Sequence, residues 1–281
     1  MLTRVFENAE RLWHERLTAK LISTALIGSF LLGLGLASLS YFEIVQQPIS
    51  FFVSIDIAFT VLLIFEVLGL IFILPKSVAD SLGKQFEIFS IILLRSAFKE
   101  FGAINSTITL DHLSQSDFYY MFFDAFGALI IFLIIGFYYK NQRHERITDT
   151  EEEQIEFIQF KQVLAIGIFL VFVGLGVHDL YRVVDMGVYD PSINTFYLFL
   201  IFTDILVLLY SLRYTTRYYN IFRYSSFAFA TVLIRMALSA EPIVNVLMGL
   251  LAGTFVLGLS YTYNYFMETR NETEVVDQAS L

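Results

Sequence analysis

The sequence predicts an all-α polytopic membrane protein of about eight transmembrane helices, arranged as two parallel four-helix repeats with both termini on the cytoplasmic side. Three observations carry that fold class. The 281 residues are 57% hydrophobic and 17% aromatic against 16% charged, too apolar for the polar surface a soluble domain of this length needs. The apolar residues fall in long blocks, each near the ~20 residues a helix needs to cross hydrocarbon. Motifs of the first half also return in the second at a nearly constant offset.

Residues 1–20 read as a cytoplasmic amphipathic helix. Leu2, Val5, Phe6, Ala9, Leu12, Trp13 and Leu17 share one helical face, and Arg4, Glu7, Arg11 and Arg16 lie mostly opposite. A helix lying on the membrane surface has this pattern, and so does a short soluble helix that binds a partner. The first repeat, 21–139, has crossings near 21–41, 51–74, 84–101 and 118–139. In its first crossing Ala25, Ser29, Gly33 and Ala37 make an every-fourth stripe of small residues, which lets two helix backbones approach closely. A linker, 140–159, carries Thr150-Glu151-Glu152-Glu153, the capping-box start of a helix that runs on into the fifth crossing. The second repeat, 160–266, has crossings near 160–181, 195–212, 221–239 and 243–266. The third and seventh crossings carry an arginine each and are the weakest. The tail, 267–281, is polar and acidic and is expected to be mobile.

Basic residues set the orientation, because they stay on the cytoplasmic side of the membrane. With the N-terminus inside, Arg4, Arg11, Arg16, Lys20, Lys76, Lys84, Lys140, Arg143, Arg146, Lys161, Arg213, Arg217, Arg223 and Arg270 all fall on inner segments, 14 of the 18 Lys and Arg. Lys99 and Arg182 fall at outer helix ends, and Arg95 and Arg235 inside crossings. The outer segments are acidic, with Glu43, Asp111, Asp117, Asp179, Asp185, Asp190 and Glu241. The expected location is therefore the cell inner (plasma) membrane, multi-pass, with the lipid bilayer as the first partner. A second copy of the chain or another membrane protein is a further one.

The repeat rests on three echoes. Gly33-Leu34-Gly35 returns as Gly174-Leu175-Gly176, Leu63-Ile64-Phe65-Glu66 as Leu200-Ile201-Phe202-Thr203-Asp204, and Leu93-Leu94-Arg95 as Leu233-Ile234-Arg235. The offsets are 141, 138 and 140, so one duplication accounts for all three. Four crossings per half give both halves the same orientation, hence a parallel repeat about an axis along the membrane normal.

Each half thus carries an acid and an arginine inside the membrane. Counting from the basic residues at the inner boundary places Glu66 and Arg95 roughly 13–17 Å deep, and Asp204 and Arg235 similarly. Charges at that depth face the bundle and pair, so Glu66–Arg95 and Asp204–Arg235 contacts are expected. Asp56 and Asp124, nearer the outer surface, are placed to reach Arg95 from the other side. These six residues either fix how helices dock or line a path for ions, protons or a ligand, and both readings stay open. His178-Asp179 is a candidate pH-sensitive or metal-binding spot, set against the plainer reading of a lone surface histidine.

The run from Leu200 to Tyr210, followed by Phe222-Arg223-Tyr224 and by Ala230-Thr231-Val232-Leu233-Ile234-Arg235, resembles the phosphate-starvation-inducible E (PsiE)-like membrane protein family. That family has an acidic residue in one helix, a basic-aromatic cytoplasmic turn and an alanine-rich helix ending in arginine. The resemblance assigns the acid to Asp204 or the position before it, the turn to Phe222-Arg223-Tyr224 and the arginine to Arg235. In the first half Glu66 and Arg95 match, while Lys84-Gln85-Phe86 replaces the turn. The resemblance implies a fused pair of a four-helix unit and assigns no activity.

Other classes are set aside by composition. A net charge of −9 opposes nucleic-acid binding, which needs basic surface. The chain has no cysteine, which excludes disulfides and thiolate metal sites. No nucleophile elbow, metal triad or phosphate loop is present, so no enzyme, cofactor or metal is expected. One arginine per half does not make the repeated array of a voltage sensor. The leading expectation is an ion or small-solute channel or transporter, with a non-conducting regulatory or scaffold subunit as the alternative.

Overall fold

The structure, a computed structural model, describes residues 2–42, 51–75, 77–103, 116–142, 150–186, 192–214 and 218–279. The described residues form helices and no strand. In order these are α1 (Leu2–Trp13), α2 (Arg16–Tyr41), α3 (Val53–Ile73), α4 (Val78–Ala103), α5 (Ser116–Asn141), α6 (Glu151–Met186), α7 (Ile193–Ser211), α8 (Tyr218–Leu238) and α9 (Pro242–Ala279).

Six of them, α2, α3, α5, α6, α8 and α9, are long and apolar enough to cross a membrane. Their surfaces show what solvent surrounds them. The spans of α2 and α6, with mean hydropathy 1.9 and 2.2, are each only 11% buried, whereas α8, the least apolar at 1.3, is 56% buried. Leu32, Phe132, Leu170 and Leu180 all stand exposed. A protein in water buries its most apolar helices. This chain turns them outward, as an integral membrane protein does when lipid is the solvent.

The interior falls into two clusters. The larger joins Leu82, Phe86, Phe89 and Leu93 of α4, Ala128, Ile131, Ile135 and Tyr138 of α5, Phe227, Ala230, Ile234 and Ala237 of α8, and Val246, Ala252 and Val256 of α9. These are two helical hairpins packed into a four-helix core. The second joins Phe6 of α1, Val67, Leu70, Ile71 and Leu74 around α3, Ile88 of α4, Ala165 and Ile168 of α6, and Phe196, Tyr197 and Leu200 of α7. α4 contributes to both. It carries six charged residues, Asp80, Lys84, Glu87, Arg95, Lys99 and Glu100, and is not among the long apolar helices. Its place among α3, α5, α8 and α9 gives Lys84, Glu87 and Arg95 polar partners on α3 and α5, where an unpaired charge in lipid would cost several kcal/mol.

Close packing depends on a few glycines. A Cβ on Gly33 would lie 2.6 Å from the Ser54 backbone, so α2 and α3 meet there backbone to backbone. Gly33 and Ala37 of the small-residue stripe are buried in that contact, while Ala25 at its start is exposed. In the core, a Cβ on Gly249 would strike the Phe89 ring.

Two element boundaries differ from expectation. α4 begins at Val78, six residues before Lys84, because Ala79, Ser81 and Leu82 are buried and carry the helix inward of its first basic residue. α9 runs on to Ala279 where a mobile tail was expected. No proline or glycine occurs after Gly258, so nothing in that stretch breaks the helix. The expected cap of α6 forms, with the Glu153 amide donating to Thr150 Oγ1 at 3.2 Å. The outer segment holding Asp111, and Glu43, Asp190, His112 and His144, lie outside the described residues.

Candidate functional site

The intramembrane charges sort themselves by helix register. α3 and α4 run antiparallel. Arg95 donates from Nε at 3.0 Å to Asp56 Oδ1, and its Nη2 lies 2.9 Å from the same oxygen. Glu66 pairs with Lys84, Nζ to Oε2 at 2.5 Å. Going ten residues back along α3, from Glu66 to Asp56, matches going eleven forward along α4, from Lys84 to Arg95. The expected Glu66–Arg95 contact is therefore replaced by two others, and the reason is the α4 boundary. Lys84 is not at the start of α4 but six residues inside it, so Arg95 lies seventeen residues from that start, about 26 Å along the helix. Of the two outer acids placed near Arg95, Asp56 reaches it. Asp124, on α5 and 1% exposed, has Ser96 and Glu100 of α4 as its polar neighbours and forms no ion pair with Arg95.

The second half is built differently. Asp204 and Arg235 are close enough for each to feel the other's charge, yet no ion pair joins them among the described residues. Instead Gln85 of α4 reaches across to Asp204, Nε2 to Oδ2 at 3.5 Å, and the Arg235 guanidinium lies 5.2 Å from the Tyr197 ring. No lysine pairs with Asp204 as Lys84 pairs with Glu66 among the described residues. Asp204 borders a 20 Å³ cavity, the size of one water, with Ser81, Gln85, Ser211, Tyr224 and Thr231.

The larger feature is a cleft of 410 Å³ at the end of the bundle where α3 finishes and α4 begins. Its polar floor is Glu66, Lys84, Glu87 and Tyr139. Lys84 Nζ lies 3.0 Å from Glu87 Oε2 as well as against Glu66, and the Tyr139 hydroxyl donates to Glu87 Oε1 at 2.8 Å. Tyr139 can lie across α4 because residue 83 is glycine: a Cβ there would fall 2.6 Å from the Tyr139 ring and hydroxyl. The side chains of Glu66, Lys84 and Glu87 are 22%, 22% and 38% exposed. Two carboxylates around one ammonium leave the floor with a net charge of −1.

The aromatic wall is supplied by α3 and α1. Phe6 is buried and packs on Phe72 at 5.8 Å. Trp13, one turn short of α2, stacks on the same ring at 5.1 Å and approaches Phe65 at 6.5 Å. The chain bends after Trp13, with His14 Nδ1 2.9 Å from the Glu10 carbonyl, so Trp13 and His14 sit at the rim. Phe6 and Trp13 of α1 thus pack on protein, while Leu12 of α1 and Leu17 of α2 stay exposed.

His178-Asp179 resolves into a structural role for the acid. Asp179 accepts from the Ser192 amide at 2.8 Å and the Ser192 hydroxyl at 2.5 Å, tying α6 to the start of α7. Among the described residues no group of three or more His, Asp or Glu is placed to hold a metal.

Sequence reasoning found Glu66 but missed the rest of the cleft. Lys84 served only as a boundary marker, although Lys84 and Glu87 stand three apart on one helix face. Tyr139 carried no signal, since nothing local ties it to Gly83. Comparison of the chain with family models, with curated proteins and with solved structures finds no match to any of them.

Proposed function

We propose that this membrane protein is a transporter of small solutes, with the cleft of Glu66, Lys84, Glu87 and Tyr139 as its inward-facing vestibule. The observation that carries the reading is three partly exposed charges seven residues up α3 and six to nine along α4, about 9–14 Å from the helix ends. An exposed charge at that depth is tolerated where water enters, not where lipid does. The positive-inside pattern turns the cleft to the cytoplasm and both termini with it.

A duplicated, PsiE-like four-helix unit fits this reading. The third and fourth helices of each half meet their counterparts, α4 with α8 and α5 with α9, as a twofold axis along the membrane normal would have them. The fit is incomplete, because α3 meets α6 whereas α2 and α7 make no comparable contact among the described residues. Asp204, bordering its water-sized cavity in the other half, is the second polar step of the proposed route.

The test is flux. Purified protein in liposomes should dissipate an imposed gradient of protons, ions or small solutes, and Glu66→Gln and Asp204→Asn should change its rate or selectivity while the protein stays folded. No flux above empty liposomes under any gradient, with folded protein, would sink the reading. That result would favour a non-conducting regulatory or scaffold subunit that holds a membrane partner. The two-contact lock of Arg95 on Asp56 is the observation on that side.

A further inference from the structure

We infer that the solute of the vestibule is an organic cation, an amine or quaternary ammonium on an apolar body. This rests on reading the cleft as a solute site and names what the site selects. The first argument is charge. Glu66 and Glu87 converge on one ammonium, Lys84, which both hold within 3.0 Å, so one carboxylate charge is left over for a second cation. Glu87 is held in place for it. Tyr139 occupies Oε1, Lys84 lies at Oε2, and the side chain is still 38% exposed.

The second argument is the opposite wall. Trp13, Phe65 and Phe72 line it with aromatic surface and supply no oxygen ligands. Indole is the best of the aromatic faces for a cation, and aromatic walls beside carboxylates recognise alkylated ammonium groups. A bare metal ion seeks six or more oxygens and would find few here. An anion would meet net negative charge.

Size is the third argument. The cleft, at 410 Å³, is about twenty times the water-sized cavity beside Asp204 and within the range of small-molecule pockets. The same chemistry exists in two forms, a free organic cation and the ammonium headgroup of a phospholipid.

The chain carries its own reporter, since Trp13 is its only tryptophan and stands at the cleft rim. Protein in a neutral detergent is titrated with benzyltrimethylammonium, with benzenesulfonate as the anionic counterpart, and with a short-chain phosphatidylcholine beside a short-chain phosphatidylglycerol. Trp13 emission is followed at the red edge of excitation, where the tyrosines are silent. A saturable response to benzyltrimethylammonium and not to benzenesulfonate is expected, weakened roughly tenfold in Glu87→Gln. The amide oxygen of that variant still accepts from Tyr139, so the fold is kept. A response to phosphatidylcholine alone assigns the same chemistry to a lipid headgroup. An equal response to cation and anion, no response to any cation, or full affinity in Glu87→Gln overturns the inference; calorimetry on the same samples guards against a silent fluorophore. Binding without flux in liposomes leaves this inference standing and removes the transport reading, while flux without binding does the reverse.

Discussion

Removing the Arg95 guanidinium tests the register of α3 against α4 through its coupling to each acid. Arg95→Met would be combined with Asp56→Asn in one double-mutant cycle and with Glu66→Gln in another. At 2.9 Å, Coulomb's law gives about 6 kcal/mol at an effective dielectric of 20 and about 1.4 kcal/mol at 80. The two side chains are 29% and 38% exposed, so water holds the pair near the lower figure, and a coupling of about 1–2 kcal/mol is expected. Glu66 and Arg95 are offset by ten or eleven residues, about 16 Å along the helices. Their coupling falls to about 0.3 kcal/mol at a dielectric of 80, within the noise of additivity. Reversible unfolding of the purified protein in mixed micelles supplies the free energies. A Glu66–Arg95 coupling as large as that of Asp56–Arg95 would refute the register and the assignment of Lys84 as the partner of Glu66. A vanishing Asp56–Arg95 term would refute the lock itself.

Two further outcomes follow from packing and from charge asymmetry. Gly249→Ala should destabilise by about 1–3 kcal/mol, because the Phe89 ring it strikes is buried on every side. Gly83→Ala should cost less, about 1 kcal/mol for the lost Glu87 contact, because the half-exposed Tyr139 can swing away; a melting curve giving the two equal costs would contradict this. Because the chain has no cysteine, single cysteines at Gln46 and Ala240 should react with an impermeant thiol reagent added outside intact cells, and cysteines at Gln142 and Ser280 should not. The reverse pattern would invert the vestibule.

Much of the architecture could be read from apolar block length alone. Each of the six long apolar helices contains one expected crossing but for at most two residues at an end, since a run of ~20 apolar residues leaves the chain little else to do in lipid. The other two expected crossings fall on α4 and the shorter α7, helices that are not among those six. The pairings could not be read this way. Depth counted from the basic residue nearest each block fails for α4, where that residue, Lys84, lies inside the helix and is itself a partner. A six-residue error, about 9 Å, was enough to match Glu66 with the wrong cation. The cleft escaped for another reason. Trp13, Glu66, Lys84 and Tyr139 come from four helices, and Gly83, by admitting Tyr139, and Phe72, by seating both Phe6 and Trp13, help bring them to one place. Such long-range fits leave no periodicity in a sequence. Asp204 is legible as a charge in an apolar run but its setting is not, because Gln85, which reaches it, lies 119 residues away on another helix.

The shared core of α4, α5, α8 and α9 bears on the order in which the chain can be made. α4 leaves the ribosome with six charges, but the groups that pair with Lys84, Glu87 and Arg95 belong to the helices made just before and just after it, Asp56 and Glu66 of α3 and Tyr139 of α5. α8 and α9 are synthesised more than a hundred residues later, and what they meet on α4 is the apolar flank of Phe86, Phe89 and Leu93. Lipid can stand in at such a flank until the second hairpin comes. The costly part of the helix is thus sheltered by its nearest neighbours in the chain, and the late hairpin only exchanges hydrocarbon for protein on a face that suits either.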